Sequence, residues 1–93
     1  MTVTTAMTVA LRTGVSSSVT EYGSVLLDER SGDYFQLNAV DTAALRQLLD
    51  GHGPPAVAAI LAEEYDVEPA QAEQDVIALL QELRTARLVS ITP

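Results

Sequence analysis

Hydrophobic and polar positions alternate loosely through the first part of the chain, then switch near residue 38 to a spacing of three and four. Val9 and Leu11, then Val15 and Val19, flank Gly14 and the Ser16-Ser17-Ser18 run and predict one strand within 9–20. Tyr22-Gly23 reads as a turn. Val25, Leu26 and Leu27 mark a strand over 24–29, and Arg30-Ser31-Gly32-Asp33 is a hairpin connection in which Gly32 supplies a positive φ. Tyr34, Phe35 and Leu37 form the second arm, with the Leu26 and Tyr34 neighbourhoods pairing across it.

Beyond Leu37 the pattern is helical. Asn38 is a good N-cap, and Asp41, three residues on, suits a helix N-terminus. The first helix carries Val40, Ala44, Leu45, Leu48 and Leu49 and stops at Asp50-Gly51. After the GHGPP loop a second helix places Val57, Ile60, Leu61 and Tyr65 on one face and ends at Asp66. Glu68-Pro69 opens the third, which runs to about Arg87 with Ala72, Val76, Leu79, Leu80, Leu83 and Ala86 in a wide stripe. Leu88, Val89 and Ile91 form an apolar tail that docks on the sheet or helices. Strands followed by helices make an α+β order, a three-stranded antiparallel sheet followed by three helices. The second and third helices, joined by Asp66-Val67-Glu68, make the whole a winged helix-turn-helix. Residues 1–8 are expected to be a flexible N-terminus and 9–93 one domain.

Charge removes the function such a fold first suggests. The chain has a net charge of -8, from 13 acids against five cations, all arginine. A DNA-binding regulator needs clustered cations to neutralise phosphates. The third helix instead sets Glu73, Asp75 and Glu82 against Arg84 and Arg87, so a gel-shift assay is expected to be negative. The same balance argues against anionic membrane surfaces. No apolar run approaches the roughly 20 residues of a membrane span, and the N-terminus lacks the pattern of a signal peptide. With no cysteine, disulfides and thiolate metal sites are excluded and a cytoplasmic location is the expectation.

Catalytic equipment is equally hard to find. His52 is the only histidine and sits in Gly51-His52-Gly53 without a partner that would orient it as a base. Glu63, Glu64, Asp66 and Glu68 read as a solvated acidic face, not as metal ligands. Gly51-x-Gly53 lacks the strand and spacing of a phosphate loop. The expectation is no catalysis, no metal and no cofactor.

What remains is surface physics. A three-stranded sheet has two edges, and an edge exposes unpaired N–H and C=O groups. Tyr34-Phe35-Gln36-Leu37 carries no charge to blunt it, although Asp33 precedes it. If this is the outer strand, it can accept an added peptide strand. On a helical wheel the apolar arc of the third helix, widened by Ile77 and Leu80, exceeds what two short helices require, which suggests a groove between that helix and the last strand.

The ordered set VLLDERSGDYFQLN, the helix end at Ala44–Gly51, AAILAEEYDV and DVIALLQELRTARLV resembles the PqqD-like family, the RiPP recognition elements that bind leaders of ribosomal peptides. The likeness covers about residues 9–91. A free-standing acidic, cysteine-free version is most similar to the leader-binding subunit of lasso-peptide pathways. The resemblance implies a leader added as an antiparallel strand along Asp33, Tyr34, Phe35, Gln36 and Leu37, lying against helix positions drawn from Asp75, Val76, Leu79, Leu80 and Leu83. Val76 and Leu83 also read as core. Asp75 matches the Asp of the family's Asp-Val pair, where it could accept a hydrogen bond from the leader. Implied partners are the precursor peptide, a separate leader peptidase and a macrolactam-forming cyclase. The alternative client within the family is a quinone-cofactor precursor presented to a radical enzyme. Ala86-Arg87 departs from the family, which often has Gly at this point.

Overall fold

The computed structural model describes residues 8–92. In chain order the elements are β1 (Thr8–Leu11), β2 (Val15–Val19), β3 (Gly23–Asp28), β4 (Tyr34–Asn38), α1 (Ala39–Leu49), α2 (Pro54–Tyr65), α3 (Pro69–Thr85) and β5 (Val89–Thr92). Strands β2, β3 and β4 form an antiparallel sheet in that order, and β1 pairs with β5 in a separate antiparallel ribbon. The α+β order of a three-stranded meander followed by three helices is therefore the architecture of the chain.

Two readings of the strands change. The single strand expected within 9–20 is two, because Gly14 (φ 88) lies in a turn closed by the Val15 N–H donating to the Arg12 carbonyl at 3.0 Å. The apolar tail is a strand: Leu11 faces Val89 and Val9 faces Ile91, which clamps the N-terminal strand to the chain end. Residues 1–7 of the expected flexible N-terminus lie outside the described residues, and Thr8 opens β1. In the hairpin Leu26 faces Phe35 and Leu27 faces Tyr34, and Gly32 has φ 81 as the turn requires.

Capping explains the helix limits. The Asn38 side-chain oxygen accepts from the Asp41 N–H at 2.7 Å, and Asp66 ends α2 in the left-handed conformation. Helix α3 stops at Thr85, two residues short of expectation. Arg87 takes φ 63, its N–H donates to the Arg84 carbonyl, and the Leu88 N–H donates to the Leu83 carbonyl, which is a Schellman close. Leu83 and Leu88 are both buried, supplying the apolar contact that goes with it. Because the cap satisfies an otherwise unpaired donor, Asn38→Ala is expected to cost about 1 kcal/mol. A thermal melt should show this as a loss of roughly 4–8 °C for a domain of this size.

Leu26, Leu48, Leu83, Val57, Val76 and Val89 are the largest fully buried side chains, so sheet, ribbon and all three helices share one core. Ser24, Leu26 and Asp28 point from β3 to the same inner face, where the Ser24 and Thr42 hydroxyls lie 2.8 Å apart and tie the sheet to α1.

Candidate peptide-binding site

Strand β4 hydrogen-bonds to β3 on one side only, and β5, which could have covered it, pairs with β1. Among the described residues its outer side has no partner strand. The Asp28 N–H donates to the Asp33 carbonyl at 2.8 Å, which sets the phase of the ladder. In an antiparallel pair bonded and non-bonded positions alternate. Asp33, Phe35 and Leu37 therefore bond to β3, while the N–H and C=O groups of Tyr34 and Gln36 point outward.

Side chains alternate the other way, to the two faces. Tyr34 and Gln36 are exposed, Leu37 is buried in the core, and half-buried Phe35 packs at its margin. Beside Phe35 an open groove of about 450 Å³ runs along α3, lined by Ala78, Gln81, Glu82, Thr85 and Ala86.

The helix positions expected in this groove separate into two groups. Val76, Leu79, Leu80 and Leu83 are all at most 5% exposed and pack inward, so the protein's own core takes these positions and leaves Ile77 of the wide arc exposed, at 40%. Asp75 is exposed and accepts from the Gln71 side-chain amide at 3.0 Å. It shares a helical face with Ala78, Glu82 and Thr85, at spacings of three and four. Apart from Asp75, that face was missed because its other residues are small or polar and read as ordinary solvent surface; the repeat of short side chains at 78 and 85 beside the strand was the available signal.

Acidic groups gather where α1 begins. Burial pushes the Asp41 carboxyl above the usual carboxylate value of 3.8, and the nearby charges of Glu82 and then Asp75 push it further. Because the folded state holds this proton more tightly, Asp41's contribution to stability falls as pH rises from 3.8 through the raised value. A carboxyl NMR titration should place its midpoint above 3.8, and Glu82→Gln should bring it down. At the hairpin end Asp28 behaves oppositely. The Arg30 backbone N–H, at 3.0 Å, and then the guanidinium, against residual burial, hold it below 3.8. Its contribution is present above 3.8 and is lost as pH falls through the lowered value.

The model of the family described as coenzyme PQQ synthesis protein D (PqqD) matches residues 23–89, well over half the chain. This protein belongs to the PqqD family. Three solved structures are similar to this chain. A lasso peptide synthetase B1 complexed with its leader peptide is 44% identical, with a TM-score of 0.83 over 88% of this chain and 96% of that one. TbiB1 in complex with the TbiA(beta) leader peptide is 28% identical, with a TM-score of 0.76 over 86% and 93%. The PqqD truncation of Methylobacterium extorquens PqqCD, a stand-alone RiPP recognition element, is 29% identical, with a TM-score of 0.73 over 88% and 87%. No curated protein matches the chain significantly. The PqqD-like fold thus accounts for both the sheet and the helix-turn-helix. No helix among the described residues is long and apolar enough to cross a membrane.

Proposed function

We propose that this PqqD-family chain is a non-catalytic module that captures the leader of a ribosomal precursor peptide by strand addition to β4. It then presents the attached core peptide to a separate leader peptidase and a macrolactam-forming cyclase of a lasso-peptide pathway. The observation that carries the reading is the outer side of β4, unpaired among the described residues, beside an open groove against α3. Backbone bonds from Tyr34 and Gln36 would supply affinity, and side chains entering beside Phe35 would supply register. A leader disordered when free orders on binding, and tethering raises the local concentration of the core peptide near a bound enzyme. Two of the similar structures hold leader peptides, and one of them is a lasso peptide synthetase subunit at 44% identity.

Titration calorimetry with the leader peptide of that 44%-identical protein is expected to give one-to-one binding. No heat and no shift of Thr85 or Ala86 amide resonances would remove the reading. The family's own description favours a second client, a quinone-cofactor precursor presented to a radical enzyme. The open reading frames beside the gene separate the two: a short peptide with a small protease supports the first, a radical enzyme the second.

A further inference from the structure

The chain's five arginines are unevenly placed. Arg12, Arg30 and Arg87, far apart in sequence, line one cleft of about 420 Å³ with Asp28, Asp33 and Ala86. Asp28 is already engaged by the Arg30 backbone and by its Nε at 3.4 Å, and the Arg30 side chain remains 53% exposed. Its stem lies over Gly14, where a Cβ would come within 3.3 Å of Cγ and Cδ, so the turn holds this arginine toward the cleft. Arg87 occupies a left-handed position that glycine would fill without strain. Three arginines against two aspartates leave this cleft positive on a chain of net charge -8.

The cleft continues the β4–α3 groove. Ala86 lines both, and Asp33 immediately precedes β4. Strand β4 thus begins at the arginines and ends at Asn38, beside Asp41, with Asp75 and Glu82 facing that end from α3. One end of the groove is cationic and the other anionic.

We propose that the groove selects an extended peptide by its charge order: carboxylates on the flank that passes the hairpin, where Arg12, Arg30 and Arg87 meet them, and cations on the flank over Asp41, Asp75 and Glu82. The proposal rests on strand addition to β4. Since antiparallel addition runs from Asn38 toward Tyr34, the acidic flank is the C-terminal one.

The probe is a fluorescein-labelled copy of the leader bound by the 44%-identical protein. In one set the residues following its strand-forming segment are replaced by Glu, Gln or Lys, and in a second set the residues preceding it. Anisotropy at low salt should rank Glu over Lys by about tenfold on the C-terminal flank and reverse the order on the N-terminal flank. Both preferences should shrink at about 0.5 M salt. The combined Arg12→Gln, Arg30→Gln, Arg87→Gly variant should lose the C-terminal preference and keep the N-terminal one. Arg87→Gly alone should raise the melting temperature by a few degrees through relief of the left-handed strain while weakening the Glu-flanked probe, which separates recognition from folding. Equal affinities across all flanks, or a C-terminal preference that survives in the combined variant, would overturn the charge-order proposal alone. Failure of every probe to bind would overturn strand addition along with it.

Discussion

Gln36→Pro is expected to weaken leader binding by about tenfold to a hundredfold while leaving the fold intact. The Gln36 N–H lies on the outer side of β4, so proline removes a donor that no strand among the described residues uses. Proline is tolerated on an edge strand whose N–H faces outward, and its ring obstructs the approach of a second strand. One lost backbone bond is worth about 0.5–1.5 kcal/mol, and the blocked register adds to it. The control is one residue away. The Phe35 N–H bonds inward to β3, and its ring is half-buried against the core. Phe35→Pro should therefore lower the melting temperature sharply, and any loss of binding there reports a damaged hairpin. Circular dichroism melts run beside calorimetry distinguish the two. Unchanged affinity in both Tyr34→Pro and Gln36→Pro, with the fold retained, would exclude strand addition along β4.

Gly23→Ala is expected to be the most destabilising of the five glycine-to-alanine changes in the chain. Gly23 faces Asn38 across the β3–β4 ladder, and its φ of 159 lies at the edge of the range that side chains avoid. A Cβ would fall 2.8 Å from the Asn38 carbonyl carbon and 2.9 Å from its oxygen, and closer still to the Leu37 carbonyl. These are backbone atoms, so no rotamer change relieves the contact. The displaced residue would be the N-cap of α1, so the helix and the strand are disturbed together. A loss of roughly 3 kcal/mol, at the upper end of ordinary single substitutions, is expected. Urea denaturation should show a lower midpoint with an unchanged slope. Gly32→Ala is the comparison: it has positive φ but open space around it, so only the conformational cost applies.

Several elements were legible because their causes are local. Gly32 in its turn, the Asn38 cap with Asp41, and the stops at Asp50-Gly51 and Asp66 each depend on residues within a few positions. So does the change of period at residue 38, which separates sheet from helices. The β1–β5 ribbon was not legible. Two four-residue strands at opposite ends of the chain carry too little alternation to announce each other, and only the assembled core brings Leu11 to Val89. The left-handed Arg87 was legible only in part: Ala86-Arg87 stands where relatives often have Gly, but the residue type itself does not announce a positive φ.

The sequence by itself determined the order of hairpin and three helices, the uncharged character of the Tyr34–Leu37 segment and an acidity unsuited to phosphate, because these follow from composition and short-range spacing. Only the tertiary structure decided which face of α3 remains open. Val76, Leu79, Leu80 and Leu83 are apolar enough to suit either a core or a binding groove, and a helical wheel cannot tell which part of its arc the neighbouring elements will cover. Packing of sheet, ribbon and helices covers those four and leaves Ile77 40% exposed, while the small and polar face of Ala78, Glu82 and Thr85 lies beside the outer strand.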